Sequence, residues 1–483
     1  MNIKIISINM GKVLLINALF MFVSIVVSAS CGFDEAFTPL SISFLITLIT
    51  GAFPFIFVRD VPKMKLGEAY VTIVLAWLLS FLIGMMPYVL YGGEFTLVNA
   101  WFESVSGYTT TGSTILTDIE SLPQSLLFWR SSTHFIGGLG VIVFLLLILP
   151  DSSPIKLQLT GLEISSIARS GYRYRAMTTT RVMLGVYVGL TLVETLMLWA
   201  AGMTFLDAVN HSFSTTATGG FSTKNSSIMY YDSVLIELII LVFMALSAMH
   251  FGVIAAVFLR RSFKPLDTSV TKYYWSVIAF LSLFVTFVLI AQGGYTSFGK
   301  ALLDSSFQVV SFISTTGFGQ ADNASWPFLA NLMLMFAAFH CGCSGSTTGG
   351  VKADRVLMAI REGRNEMYRK LYPSSVIKTK LNGMIVRNEA VSSAALFIVV
   401  YVLMLLMSFI LSMVCGLDVG DAFTGTLASL GNVGPGMGDL GTMGNYAGIP
   451  ASVKLLFSLD MFMGRIEIFP LFVVLSMIVR KRM

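Results

Sequence analysis

SGYTTTGST (106–114), SFSTTATGGFST (212–223), SFISTTGFGQ (311–320) and SLGNVGPGMG (429–438) are polar, glycine-bearing islands in a chain whose other long segments are apolar. Each follows a short amphipathic stretch and precedes a long apolar one. The repeating unit is therefore a membrane helix, a half-helix, a polar backbone turn and a second membrane helix. Irregular backbone is tolerated at bilayer depth only where it is buried in protein or lines a water-filled cavity, because an unsatisfied N–H or C=O in hydrocarbon costs several kcal/mol. Four Thr- and Gly-rich turns of this kind can surround one axis and face an ion path.

The chain has 483 residues, of which 55% are hydrophobic and 12% charged, with a mean hydropathy of +0.80. This composition is that of a polytopic membrane protein. Apolar runs long enough to cross about 30 Å of hydrocarbon fall near 11–30, 38–58, 68–91, 126–149, 180–202, 233–259, 274–291, 327–360, 391–415 and 451–479. The reading is an all-α fold of ten spans with four re-entrant segments between them. The first run is too long, and its Ser28-Ala29-Ser30 site too weak, for a cleaved signal peptide, so it is expected to be retained.

Lys and Arg orient the chain. Lys4, Lys12, Arg59, Lys63, Lys65, the runs Lys156 to Arg181, Arg260 to Lys272 and Arg361 to Arg387, and Arg480-Lys481-Arg482 fall on one side, which is expected to be cytoplasmic along with both termini. The net charge of +5 is thus topology rather than a nucleic-acid footprint. The basic loops are also suited to anionic membrane lipid or a soluble subunit. Cys31, Cys341, Cys343 and Cys415 are too few and scattered for a disulfide framework, and His340-Cys341-Gly342-Cys343 lacks a second ligand cluster, so no transition-metal site is expected.

The four islands align when Gly112, Gly220, Gly317 and Gly434 are superposed: thirteen positions earlier stand Asn99, Asp207, Asp304 and Asp421, each followed by a small residue. Asn and Asp are good helix N-caps, so each half-helix is expected to start there and end at the glycine. Anchoring the second repeat on Gly219 instead would break both registers; Gly220 keeps them. A half-helix ending at the axis points the negative end of its dipole, and its free C=O groups, at the path, which favours a cation. Filter carbonyls are expected from Thr110-Thr111-Gly112, Thr218-Gly219-Gly220, Thr315-Thr316-Gly317 and Asn432-Val433-Gly434. Such carbonyls replace the hydration shell of K⁺, as in the TVGYG filter of tetrameric channels. No TVGYG occurs here, and one glycine per repeat implies fewer ion sites and looser discrimination against Na⁺.

With GGVK (349–352) and MGRIEIFPL (463–471), these segments resemble the membrane subunits of the Trk/Ktr/HKT superfamily of K⁺ transporters over nearly the whole chain. The two extra spans at 11–58 resemble the TrkH branch rather than the shorter KtrB branch. The resemblance implies four covalently joined M1–P–M2 repeats around one pore, after a two-helix region. The divisions are 1–62, 63–160, 161–265, 266–375 and 376–483. It implies K⁺ as the transported ion with no catalytic cofactor, a homodimer, a TrkA-type cytoplasmic nucleotide-binding regulatory subunit, and a bacterial cytoplasmic (inner) membrane location. A Na⁺-coupled or Na⁺-permeable relative is the alternative.

Residues 341–350 read CGCSGSTTGG, and four glycines in ten residues cannot hold a straight helix. The third M2 is expected to break into halves joined by a loop at bilayer depth. That loop is either an intramembrane gate, formed by Gly342, Gly345, Ser346, Thr347, Thr348, Gly349 and Gly350 with Lys352 just beyond, or a packing kink. GCSG (342–345) superficially matches an intramembrane serine protease, but that chemistry needs a histidine base and none follows His340, so no enzyme is expected. Arg465, central in the last span, is a functional hypothesis by default. It is expected to face the path and hydrogen-bond loop carbonyls; the alternative is an ion pair with Glu237 or Glu194.

Overall fold

The computed structural model describes residues 2–58, 64–148, 176–381 and 384–480. The expected divisions at 62–63 and 160–161, Arg59, Lys63, most of the basic run Lys156 to Arg181, and Lys481-Arg482 lie outside them. The N-terminal pair α1 (Ile3–Ser30) and α2 (Phe37–Phe57) packs closely through small residues. A Cβ on Gly11 would lie 2.6 Å from the carbonyl oxygen of Gly51, the small-residue contact typical of helices in lipid.

Four helix–half-helix–helix repeats follow. The first is α3 (Leu66–Gly84) with its short continuation α4 (Met86–Tyr91), the half-helix α5 (Leu97–Tyr108) and α6 (Gln124–Ile148). The second is α7 (Ala176–Ala200), α8 (Phe205–Ala217), and α9 (Val234–Ser247) with α10 (Phe251–Arg260), bent by 102° at the break. The third is α11 (Ser269–Ala291), α12 (Phe298–Ile313), α13 (Phe328–His340) and α14 (Ala353–Leu371). The fourth is α15 (Asn388–Val414), α16 (Val419–Gly431), and α17 (Ala451–Arg465) with α18 (Phe469–Arg480), bent by 103°. Apart from one two-residue ladder, β1 (Lys380–Leu381) against β2 (Met384–Ile385), the described elements are helical.

Among the described residues six helices are long and apolar enough to cross a membrane, or eight spans if each bent pair counts as one. The 25-residue α6 covers most of the run expected at 126–149 and is not counted among these spans. The run over 327–360 is broken into two helices, as expected. Its apolar part, α13, has only 13 residues. Its continuation α14 carries Arg355, Arg361, Arg364, Arg369 and Lys370, too many charges for hydrocarbon. Beyond α14 the chain is tied back by Glu362, which accepts hydrogen bonds from the Thr379 hydroxyl and from Arg369; these bonds hold its carboxyl below the usual range.

Polarity is inverted relative to a soluble protein. Leu192, Leu196, Phe287, Leu403 and Ile410 are exposed on the outer faces, whereas Ser and Thr of α5, α8, α12 and α16 are buried at the centre. In lipid this is the favourable order, because the tails solvate apolar side chains and polar groups must be satisfied internally.

Candidate ion-conduction site

The half-helices begin earlier than their sequence alignment suggests. Thr96, Thr204 and Asp418 are the N-caps, their side-chain oxygens accepting from the backbone N–H of Asn99 (3.4 Å), Asp207 (3.1 Å) and Gly420 (3.1 Å). Ser297 precedes α12 without a side-chain cap bond. Asn99, Asp207 and Asp421 therefore stand at the third helical position, where a negative group still favours the helix N-terminus. Asp304 lies a full turn further in. The aligned residues tie the half-helices to neighbouring structure: Lys454 donates to Asn99 (2.8 Å), Thr223 to Asp207 (2.6 Å) and Tyr295 to Asp304 (2.8 Å).

Each half-helix ends on the same backbone device. Thr110, Thr218, Thr315 and Asn432 take φ of 51°, 58°, 55° and 53°, and two residues later Gly112, Gly220, Gly317 and Gly434 take φ of 86°, 81°, 79° and 97°. Left-handed backbone turns the chain out of the helix, and the second position admits only glycine for a further reason. A Cβ on Gly112 would collide with the carbonyl oxygen of Gly219, one on Gly220 with that of Thr316, one on Gly317 with that of Val433, and one on Gly434 (2.5 Å) with that of Thr111. The contacts close a ring, repeat one on two, two on three, three on four and four on one. In the second repeat the left-handed glycine is Gly220, with Gly219 supplying the carbonyl. Thr110, Thr111, Thr218, Thr315, Thr316, Asn432 and Val433 are all fully buried. Asn432 Nδ2 donates to Thr111 Oγ1 (3.1 Å), joining the last repeat to the first.

The 341–350 segment lies across the C-terminal ends of the half-helices. Helix α13 stops at Cys341, whose φ is 57°, and helix resumes at Ala353. Thr347 Oγ1 donates to the Thr216 carbonyl (3.0 Å), Gly349 N–H to Thr315 Oγ1 (3.3 Å), and a Cβ on Gly349 would lie 2.6 Å from the Gly431 carbonyl. The segment is also pinned to the broken second M2: Cys343 N–H donates to the Ala248 carbonyl (2.8 Å), and the Gly345 carbonyl accepts from Phe251 N–H (3.1 Å). At its ends the Gly342 carbonyl accepts from Ala353 N–H (2.8 Å), and Ser346 Oγ meets Thr348 Oγ1 at 2.7 Å. Gly350 lies against the Cys341 sulfur. The Ser344 hydroxyl donates to Asp354, so although His250 packs beside Gly345, the serine is engaged by a carboxylate.

Arg465 ends α17. Its Nη1 donates to the Thr347 carbonyl and its Nη2 to the Gly137 carbonyl of α6 (3.0 Å). Glu237, in the first turn of α9, belongs to the opposite end of the equivalent helix, and a 15-residue helix such as α17 is about 22 Å long. Glu194 packs against Thr215 of the second half-helix. Lys352 pairs with Glu467 (2.8 Å), as does Arg355. Glu467 was not visible as a partner for Lys352, 115 positions away. The break that presents it was not foreseen either, although Pro470 was a signal: proline disfavours α conformation in the residue before it. Glu467 and Ile468 both take φ of 58° there.

The sequence matches the model of the TrkH family, described as a cation transport protein, over residues 40–296 and 275–482. It is 34% identical over 393 residues to the Trk system potassium uptake protein TrkH of Vibrio parahaemolyticus, covering 79% of each chain. Its identity to the Escherichia coli Trk system potassium uptake protein TrkG is 31% over 387 residues, 79% of this chain and 78% of the other. The crystal structure of the potassium transporter TrkH from Vibrio parahaemolyticus superposes with a TM-score of 0.86 at 30% identity, covering 98% of this chain and 99% of that one.

Proposed function

The chain belongs to the TrkH family of cation transport proteins, and on that premise we propose that it takes up K⁺ through a filter formed at the four-glycine ring. The ring itself carries this reading. Four left-handed glycines, each backed by a carbonyl of the next repeat, place rigid backbone dipoles around one axis at the negative ends of four half-helices. Its divisions are the five given above, with the basic ends of the helices and both termini in the cytoplasm of a bacterium and the protein in the inner membrane. The 341–350 segment serves as the gate beneath the filter, held by Arg465 and by the Lys352–Glu467 pair. What supports this is its position against three of the half-helix ends and its linkage through Arg465 to the first repeat. The relatives are named as parts of a Trk system, which fits a cytoplasmic nucleotide-binding subunit that works the gate, and the protein acts as a homodimer.

The test is the reversal potential of the purified protein in proteoliposomes under K⁺, Rb⁺, Na⁺ and Li⁺ gradients. K⁺ and Rb⁺ should permeate well ahead of Na⁺ and Li⁺. Equal permeability to all four, or absence of flux from correctly inserted protein, would overturn the reading, and K⁺ flux that requires Na⁺ would replace it with the Na⁺-coupled alternative.

A further inference from the structure

Nine residues before the ring glycines the half-helices carry Glu103, His211, Gln308 and Gly425. The first three reach the strand that leaves the glycine. The Glu103 carboxylate accepts from Thr114 Oγ1 (3.0 and 3.1 Å to its two oxygens) and from Ile115 N–H (3.0 Å). His211 Nε2 meets Ser222 Oγ at 3.0 Å, and its Nδ1 lies 2.8 Å from the Asp207 carbonyl, to which it donates. Gln308 Nε2 donates to the Ala321 carbonyl (3.0 Å). Gly425 contributes nothing, and the adjacent Thr424 hydroxyl accepts from Met437 N–H (3.2 Å) instead. The same register thus holds a brace behind the ring in three repeats, with a different chemistry in each.

The first brace is an ion pair. Arg130 Nε lies 2.6 Å from Glu103, with both side chains almost wholly buried at 2% and 0% exposure. The other arm of the guanidinium crosses to the second repeat: Nη1 donates to the Ser222 carbonyl (3.1 Å), and the group lies 3.7 Å from the centre of the Phe221 ring. One ion pair therefore ties together the strands leaving Gly112 and Gly220. The strands that leave the other ring glycines are joined by neutral contacts, Ile228 N–H to the Gly319 carbonyl (3.1 Å), Asn323 Nδ2 to the Gly436 carbonyl (3.3 Å) and Tyr446 N–H to the Thr114 carbonyl (2.8 Å), while the charged Lys454–Asn99 contact between the fourth and first repeats lies at the start of the half-helix.

We propose that the Glu103–Arg130 pair is a specificity-determining brace, fixing the spacing of the carbonyl ring between the first and second repeats and with it the discrimination of K⁺ from Na⁺. The proposal rests on the filter reading above. A ring that resists contracting around the smaller ion is one way in which carbonyls select the larger. A buried ion pair supplies that stiffness, since separating it leaves an uncompensated charge on each side. Arginine is required because its planar fork meets a carboxylate along one edge and a carbonyl along another. Lysine, with a single ammonium, cannot hold both strands.

The experiment is the K⁺/Na⁺ permeability ratio, from bi-ionic reversal potentials, of the full-length protein in proteoliposomes. Arg130→Lys keeps the charge and should lower the ratio about fivefold, the equivalent of one net hydrogen bond. Thr114→Val removes one donor to Glu103 without disturbing the ion pair and should lower it about twofold on the same scale. Gly112→Ser is measured alongside as a direct change to the ring. An unchanged ratio in monodisperse Arg130→Lys and Thr114→Val, with Gly112→Ser less selective, overturns the brace and leaves the filter standing. An unchanged ratio in all three overturns both. A reduced rate at constant ratio makes the pair merely structural and also refutes the proposal. If Arg130→Lys fails to fold, Thr114→Val decides alone.

Discussion

At Gly112 two constraints coincide: a φ of 86°, and the Gly219 carbonyl occupying the space of a Cβ. Either alone would disfavour another residue. An L-residue in left-handed backbone costs about 1–2 kcal/mol, and the obstructing atom is backbone of another repeat, which can move only by displacing the ring. Gly112→Ser or Gly434→Ser should therefore reduce K⁺ selectivity by roughly tenfold, the equivalent of about 1.4 kcal/mol, or abolish flux. Reversal potentials in mixed K⁺ and Na⁺ check this, and unchanged selectivity and rate in both variants would remove the filter from these positions. These glycines were legible because nothing else satisfies such a turn, and the register of small residues before them located the half-helices. The caps lie three residues before the aligned positions in the first, second and fourth repeats and seven before in the third, because Thr96 and Thr204 compete with Asn99 and Asp207 for the same role and side-chain type alone does not rank them. Arg130 left a signal in being a charge inside an apolar run. Its partner Glu103 lies 27 positions away on another element, and such pairings arise only from the fold.

The helix breaks show what a stretch of sequence reveals about an element. The third M2 announced its break through CGCSGSTTGG, since glycine favours helix less than alanine by about 1 kcal/mol per residue. The second M2 breaks at Ala248–His250 with no such composition. There the His250 ring accepts from the Gly252 N–H (2.9 Å), capping α10 as an Asn or Asp would. That break also supplies the Ala248 carbonyl and Phe251 N–H to which the 341–350 segment is hydrogen-bonded, so two broken helices hold one loop. Deleting part of Gly345–Gly349 removes the contacts to Thr216 and Thr315 while sparing the Ala353–Gly342 bond. Basal K⁺ flux through the purified protein should rise severalfold, given about 1 kcal/mol for each hydrogen bond lost. A folded, inserted deletion with unaltered flux would make the segment a packing kink.

Over the whole molecule Arg465 joins parts that the linear order keeps far apart. It stands in the fourth repeat, donates to the Thr347 carbonyl in the third, and donates to the Gly137 carbonyl in the first. Gly137 in turn abuts the carbonyl of Tyr108, the last residue of the first half-helix. A loop leaning on the second, third and fourth half-helices is thereby linked to the first as well. The same guanidinium is a nearly buried positive charge, 7% exposed, and under the proposed function it stands beside the path of the cation. On that proposal the charge opposes the passage of K⁺, and the more so the lower the dielectric around it. Arg465→Ala removes both the charge and the two bonds, and basal K⁺ flux should increase by tenfold or more, on the scale of about 1.4 kcal/mol per decade. Arg465→Lys keeps the charge but cannot span Thr347 and Gly137 together, so its flux should fall between wild type and the alanine variant. A purely structural clamp gives a different pattern, in which both variants lose monodisperse yield because loop and α6 carbonyls are left without their donor, while flux per inserted molecule stays at the wild-type level. Yield and single-protein flux measured on the same preparations separate the two, and lowered yield at unchanged flux would refute the gating role of Arg465.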